Sequence, residues 1–241
     1  FNVSYTDYEK MYQNFYVSDY LDPTNPNNLT AGVVDPNRVE SDGYRDTTER
    51  QNLVLSGNLV AEFETNDFKH TVLFGAEFMD SSSENDRFNP EFPTVGGGTD
   101  DNASFLVTER NIPGVGFNAG GLSAGPFTNL NDDTSTDLTV FSLYVQDEIE
   151  LSDQLTVVLG ARFDSFDIDV TDNKTPAKSG SQKDEEFTPR AGIIYKPEEN
   201  ISLYASYSQT FVPQSGEQFA ELYSKQPSAG LDPSEFSNLE A

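Results

Sequence analysis

The sequence lacks cysteine and tryptophan entirely, and it contains a single histidine, His70, among 241 residues. Without cysteine, neither a disulfide framework nor a thiolate metal site can form. His70 lies beside a predicted short turn, where we expect a structural role rather than a catalytic or metal-binding one. No apolar run reaches the roughly 18 residues that a membrane-spanning helix requires. Spanning strands are still possible, because each needs only about ten residues of alternating character.

Basic residues are also scarce, with 14 Lys and Arg against 41 Asp and Glu, which gives a formal net charge of -27. Nucleic acid is therefore not an expected partner, since phosphate contacts need clustered Lys and Arg. The acidic residues at 131–137 offer oxygen ligands, but they lack the spacing of a defined Ca²⁺-binding loop. We expect solvated acidic loops rather than a metal site.

Apolar and polar residues alternate over long stretches, and aromatic residues make up 12% of the chain. This period-2 pattern predicts an all-β protein with about seven long strands. On one of them Leu155, Val157 and Leu159 share a face, and Thr156 lies on the other. The predicted strands lie near 1–20, 47–65, 69–84, 136–151, 155–171, 185–196 and 200–213.

Short and long connections alternate strictly along the chain. Short turns are predicted at 65–68, 152–154 and 196–200, and long loops at 21–46, 85–135 and 172–184. In an antiparallel up-and-down meander, the short turns then lie at one end and the long loops at the other. Outer-membrane barrels have this arrangement, and stretches of about nine alternating residues match their apolar band of about 25 Å. A soluble sandwich or propeller explains the alternation but not the segregated loops.

Several strands also carry specific motifs. They read HTVLFGAEF at 70–78, FSLYVQDE at 141–148, LTVVLGARFD at 155–164, FTPRAGIIY at 187–195, ISLYASYSQTFVP at 201–213 and LDPSEFSNLEA at 231–241. In order and spacing, these motifs resemble barrel strands of TonB-dependent siderophore receptors, especially those of the ferrichrome or hydroxamate type. The last motif resembles the stretch that opens a further strand, and residues 1–65 match only in general character.

The resemblance implies that residues 1–241 are part of a barrel domain, an open segment of a 22-stranded transmembrane β-barrel in the bacterial outer membrane. It implies a receptor that takes up a ferric siderophore as its transported ligand, without a cofactor and without enzymatic activity. The expected partners are outer-membrane lipid and the TonB complex, reached through a plug domain. The plug domain and the remaining strands of the barrel are not in this sequence, so we expect the chain to begin and end within a longer protein. The alternative is a secreted acidic all-β protein that binds carbohydrate or Ca²⁺.

Two groups of residues are candidates for function. A bulky siderophore rich in aromatic or amide groups is expected to bind aromatic side chains on loops and upper strands. The candidates are Tyr16, Tyr20, Tyr44, Phe88, Phe92, Phe105 and Phe211. The charged residues Glu148, Arg162 and Arg190 fall on the inward faces of three strands. We expect them to pair across strands and, in the whole receptor, to contact the plug.

Overall fold

The computed structural model describes residues 1–20, 38–93, 99–101, 103–106, 117–118, 121–122, 127–215 and 232–241. Eight long strands account for most of them, and we label these β1 to β8. They are β1 Asn2–Tyr20, β2 Arg38–Thr65, β3 Phe68–Pro90, β4 Phe127–Ser152, β5 Leu155–Asp172, β6 Gly180–Glu198, β7 Ile201–Val212 and β8 Ser234–Glu240. Among the residues described, no helix is long and apolar enough to cross a membrane.

The eight strands form one sheet in which neighbours in the chain are neighbours in space, in the order β1 to β8. The pairs β5–β6, β6–β7 and β7–β8 are antiparallel, with Leu155 opposite Tyr195 and Phe163 opposite Phe187. The turn between β2 and β3 places Asn66 at a positive φ of 57°. Asparagine tolerates this left-handed conformation better than most residues, and that explains its position in a tight turn.

Shorter elements lie in the long connections. A 3₁₀-helix, Pro176–Lys178, joins β5 to β6. The strand Ala103–Leu106 pairs with the beginning of β2. Two more short pairs join Phe92–Pro93 to Thr99–Asp100, and Phe117–Asn118 to Gly121–Leu122.

The all-β meander predicted from the sequence is confirmed, and the motif at 231–241 forms the eighth strand. The predicted loop boundaries were wrong, because strands occupy 38–46, 85–90, 127–135 and 180–184. These stretches lack the apolar alternation that we required of a strand. Pairing with a neighbouring strand satisfies backbone hydrogen bonds whether or not one face is apolar.

The chain forms two compact units. The first comprises Phe1–Tyr8, Arg50–Ser83 and Ser135–Ala241, and the second comprises Glu9–Glu49 and Glu84–Thr134. One face of the first unit, which we call the apolar face, carries exposed large side chains on six strands. Leu59 is 66% exposed and Phe187 62%, and the others include Phe74, Leu143, Leu159 and Leu203. Soluble monomers rarely expose such a continuous apolar surface, so this face is suited to contact with lipid or with another protein.

The opposite face of the first unit, the polar face, becomes apolar toward the long-loop ends of β4 and β5. Ile168 and Val170 are buried there, together with Leu138 and Val140, and Met79 and Phe166 pack against this cluster. In the same part of β5, Asp167 and Asp169 are exposed on the other side. The amphipathic pattern of β5 therefore changes sides between Phe163 and Phe166, which marks the edge of the apolar face.

A buried carboxylate ties the residues after β7 to β6. Asp184 is 6% exposed, and its Oδ2 accepts hydrogen bonds from the backbone N–H groups of Gln214 and Ser215, at 2.8 and 2.9 Å. The hydroxyl of Ser215, itself fully buried, donates a third bond at 2.8 Å. These bonds compensate for the burial of the charged carboxylate.

Candidate functional site

A layer of hydrogen-bonded side chains crosses the polar face of the first unit, and Arg162 lies at its centre. Its guanidinium donates to Glu77 at 2.7 Å and to both carboxylate oxygens of Asp164 at 2.9 and 3.0 Å. Asp164 is 3% exposed, and Ser142 donates a further hydrogen bond to it at 2.5 Å. The layer therefore links β3, β4 and β5 through one arginine whose counter-charges lie on two different strands.

Two glycines make room for large side chains of this polar layer. A Cβ atom on Gly75 would lie 2.0 Å from the ring of Tyr144, so the ring lies directly across the backbone of β3. From there the Tyr144 hydroxyl donates to Asn58 on β2 at 2.5 Å, and the ring lies 5.2 Å from the guanidinium of Arg162. Gly160 makes room for the side chain of Arg190 in the same way, since a Cβ at residue 160 would lie 2.8 Å from the Nε atom of Arg190.

The three charged residues predicted to form an inward network have different surroundings. Arg190 donates a hydrogen bond to Gln146 on β4. Arg162 pairs with Glu77 and Asp164, whereas Glu148 is exposed and is not among the ion pairs found in the described strands. Charge pairing across strands thus exists on the polar face, but its acidic members are residues that the sequence did not single out.

His70 lies close to the short turn between β2 and β3. Its Nδ1 atom is 2.8 Å from Asp147, and its ring stacks on Phe63 with the centroids 4.9 Å apart. Both of these neighbours fix the imidazole in place, and no hydroxyl or thiol nucleophile is hydrogen-bonded to it in the described residues. The contacts are those of a structural residue, as we expected from its position beside the turn.

The second unit contains a cluster of tyrosines beside an arginine, which we call the tyrosine–arginine cluster. The ring of Tyr44 lies 5.7 Å from that of Tyr12 and 6.2 Å from that of Tyr16. The guanidinium of Arg87 lies 4.3 Å from the centroid of Tyr44. Tyr12 and Tyr16 are 48% and 41% exposed, so the cluster offers an accessible aromatic surface with a cation at its edge.

A second arginine packs on phenylalanines elsewhere in this unit. The guanidinium of Arg45 lies 4.7 Å from the ring of Phe88 and 6.0 Å from that of Phe127, and it donates to the backbone carbonyl of Phe127 at 3.1 Å. The ring of Phe15 lies 4.9 Å from that of Phe127 and is tilted against it by 36°. Phe127 is buried, so this second group is an internal packing contact.

Of the four predicted ligand-binding residues whose side chains are described, Tyr16 and Tyr44 come together. Phe88 packs on Arg45, and Phe211, in the first unit, makes an edge contact with Phe166 at 5.7 Å. The side chains of Tyr20, Phe92 and Phe105 lie outside the described residues. The sequence reasoning missed Tyr12, although its spacing of four residues from Tyr16 places the two on one face of a strand. It also missed Arg87, for which no sequence pattern gave a signal.

Ionisation in the second unit follows from its acidic surroundings. A hydrogen bond to Asp42 raises the pKa of Tyr16, and a hydrogen bond with Tyr12 raises the pKa of Tyr44. Both phenols therefore stay protonated at neutral pH. Burial raises the pKa of Asp46, against the opposing effect of Arg87 and Lys10. In the described part of the chain, no three acidic or histidine side chains lie close enough to hold a metal ion.

The sequence model of the family described as "TonB dependent receptor-like, beta-barrel" matches residues 1–241. The chain belongs to this family. The resemblance drawn from the strand motifs is thereby confirmed, and so is the assignment of the chain to a β-barrel of the outer membrane. The alternative of a secreted protein that binds carbohydrate or Ca²⁺ has no support from the family match or from the relatives.

Curated relatives of the chain are outer-membrane receptors. The chain is 31% identical over 193 residues, 77% of its length, to the ferrichrome outer membrane transporter/phage receptor of Escherichia coli K12. It is 26% identical over 174 residues, 64% of its length, to the probable TonB-dependent siderophore receptor PiuA of Acinetobacter baumannii. The chain spans only 24% and 21% of these two relatives, about a quarter of a complete family member.

Solved structures of the family share the fold. The ferripyoverdine receptor of the outer membrane of Pseudomonas aeruginosa superposes with a TM-score of 0.64 at 17% identity, covering 98% of this chain and 27% of the receptor. The closed form of the ferric-catecholate import receptor Fiu of Escherichia coli K12 gives a TM-score of 0.62 at 17% identity, covering 90% of this chain and 30% of that receptor. At this identity the likeness supports the barrel fold alone.

Proposed function

We propose that the chain is part of the barrel wall of a receptor that takes up a ferric siderophore across the outer membrane with energy from the TonB complex. The observation that carries this proposal is the family match over residues 1–241, together with 31% identity to a protein named as a ferrichrome transporter. Residues 1–241 then form a partial barrel domain, and the plug domain and the remaining strands of a 22-stranded barrel lie elsewhere in the protein.

The two faces of the first unit support the roles of a barrel wall. The apolar face, with Leu59 and Phe187 more than half exposed, suits the hydrocarbon of outer-membrane lipid. The polar face, with the ion pairs of Arg162, would line the interior and contact the plug. TonB would act through that plug. We expect no cofactor, no enzymatic activity and no nucleic-acid partner, and the net charge of -27 supports the last of these.

We place the ligand contacts of this segment on the tyrosine–arginine cluster. Tyr16 and Tyr44 belong to the ends of β1 and β2 that adjoin the long connections, which in barrels of this kind are the external ends. Exposed tyrosine rings give a large contact area with little conformational freedom to lose. Phe88 and Phe211 are packed against other side chains and would support the site rather than contact the ligand.

The test is iron uptake by cells that express the complete receptor in place of their own siderophore receptors. Radiolabelled iron would be supplied as ferrichrome, ferric citrate and ferripyoverdine, with and without a functional TonB complex. We expect at least one chelate to be taken up, and only when TonB is present. Uptake that is equal without TonB, or uptake of none of the three chelates, would contradict the proposed function.

A further inference from the structure

Arg87 has hydrogen-bonding capacity that the described residues do not use. Its side chain is 41% exposed, and within the described residues it donates no hydrogen bond. The nearest carboxylate oxygen, Oδ1 of Asp46, lies 3.9 Å from its Nε atom, which is too long for a hydrogen bond. A guanidinium carries five N–H donors in a planar fork, so an exposed one that donates to none of the described residues can bind an oxyanion through two parallel hydrogen bonds.

The orientation of Arg87 is fixed before any ligand arrives. Its guanidinium lies 4.3 Å from the centroid of Tyr44, and a cation held over an aromatic ring loses little further freedom on binding. Tyr44 is in turn held between Tyr12 and Tyr16 at 5.7 and 6.2 Å. The donors of Arg87 are therefore positioned at the edge of three tyrosine rings.

The neighbouring acids leave this cation available. Asp42 accepts hydrogen bonds from the Tyr16 hydroxyl at 2.9 Å and from the backbone N–H of Gly43 at 2.6 Å. Asp46 has 29% of its side chain exposed, and its Oδ1 atom is buried without a hydrogen-bond partner in the described residues. Asp46 balances part of the charge of Arg87 but does not occupy its donors, so a better-placed oxyanion can displace this weak pairing.

We propose that Arg87 is the specificity-determining residue of the tyrosine–arginine cluster, and that the receptor prefers a ferric chelate with a free carboxylate over a neutral trihydroxamate chelate. The carboxylate binds the guanidinium fork, while the organic part of the chelate lies on Tyr12 and Tyr16. A neutral chelate gains the aromatic contact but has no anion for Arg87. This inference rests on the proposed function and names the class of substrate.

Binding of two anionic chelates, ferric citrate and ferripyoverdine, and of the neutral chelate ferrichrome to the purified complete receptor tests the inference. The variants are Arg87→Gln, which removes the charge, and Lys69→Gln as a control. Lys69 is 66% exposed and its only described ion pair is with Glu150 at 3.6 Å, in the first unit. We expect Arg87→Gln to weaken binding of the more tightly bound anionic chelate by about tenfold or more, since hydrogen bonds between two charged groups are among the strongest. Ferrichrome binding should change by less than about twofold, and Lys69→Gln should leave all three affinities unchanged.

Three results would overturn the inference while leaving the proposed function intact. The first is that the wild-type receptor binds ferrichrome more tightly than both anionic chelates. The second is that Arg87→Gln leaves the affinity for the anionic chelates unchanged. The third is that Arg87→Gln lowers the affinity for all three chelates equally. Arg87→Lys controls for damage to the fold, because lysine keeps the charge without the fork and should recover only part of the affinity for the anionic chelate. If the wild-type receptor binds none of the chelates, the proposed function itself fails.

Discussion

Replacing Gly75 by alanine is expected to destabilise the barrel, because the ring of Tyr144 occupies the space that a Cβ would need. The added Cβ would lie 2.0 Å from Cζ, 2.2 Å from Cε2 and 2.4 Å from the hydroxyl oxygen of that ring. Since carbon atoms pack at about 3.5–4 Å, the ring would have to move by about 1.5–2 Å. That movement breaks its 2.5 Å hydrogen bond to Asn58 and its contact with Arg162.

The magnitude follows from those two contacts. The hydrogen bond contributes about 1 kcal/mol and the cation–π contact about 0.5–1 kcal/mol. Alanine recovers about 0.4–1 kcal/mol by restricting the unfolded chain. Overpacking itself costs about 1–3 kcal/mol, so we expect Gly75→Ala to lower the free energy of unfolding by about 1.5–4.5 kcal/mol.

Titration of the complete receptor in lipid vesicles with guanidinium chloride gives its free energy of unfolding and so measures this loss. Gly57→Ala is the matched control, since a Cβ there meets only Phe1, at an ordinary 3.9 Å. In a Tyr144→Ala background, Gly75→Ala should cost much less than in the wild type, because the ring is gone. An equal cost in both backgrounds would refute the assignment of Gly75 as the space for Tyr144.

Three other perturbations test separate parts of the structure. Asn66→Ala, at φ 57°, should destabilise the turn by about 1 kcal/mol and Asn66→Gly should not, as thermal unfolding of the two variants can establish. Asp184→Ala removes the acceptor for the Gln214 and Ser215 amides, so hydrogen exchange at both should accelerate by more than about tenfold. Burial raises the pKa of Asp86, so its stabilising contribution is present below about pH 4 and is lost as the pH rises through the raised pKa. Amide hydrogen exchange at residues 84–90, corrected for intrinsic rates, should therefore be faster at neutral pH than at acidic pH. Asp86→Asn should remove that difference.

The sequence predicted the parts of the fold that depend on alternation of apolar and polar residues. Strands such as β5, where Leu155, Val157 and Leu159 share a face, have this pattern because successive side chains of a strand point to opposite sides of the sheet. Strand ends such as Arg38–Asp46 have no such pattern, although they pair with neighbouring strands, and they were predicted as loop. The change of face between Phe163 and Phe166 corresponds to a shift in the phase of the apolar residues along the sequence, from Phe163 to Phe166 and Ile168.

The candidate sites were harder to predict, because they depend on neighbours that are distant in sequence. Arg162 was identified, but its partner Glu77 lies 85 residues away, and the position of Glu77 relative to Arg162 is set by the one strand between them, β4. Tyr16 and Tyr44 were chosen as aromatic residues near predicted loops, and they meet because β1 and β2 pair. Arg87 was missed because a single arginine before an aromatic residue has no distinguishing pattern in a sequence.

The measurement that tests the central claim most directly is the accessibility of spin labels along β4 and β5 in the complete receptor in lipid vesicles. The segment has no native cysteine, so single cysteines can be introduced and labelled one at a time. We expect labels at Leu143 and Leu159 to collide with oxygen dissolved in lipid. Labels at Tyr144 and Gly160 should collide with a water-soluble nickel complex. Beyond Phe163 the pattern should invert, with the label at Asp167 in water. Two results would contradict the claim that the apolar face is the lipid-facing side of a barrel wall. One is that label accessibility does not alternate over residues 141–163, and the other is that the same alternation continues to residue 170 without inversion.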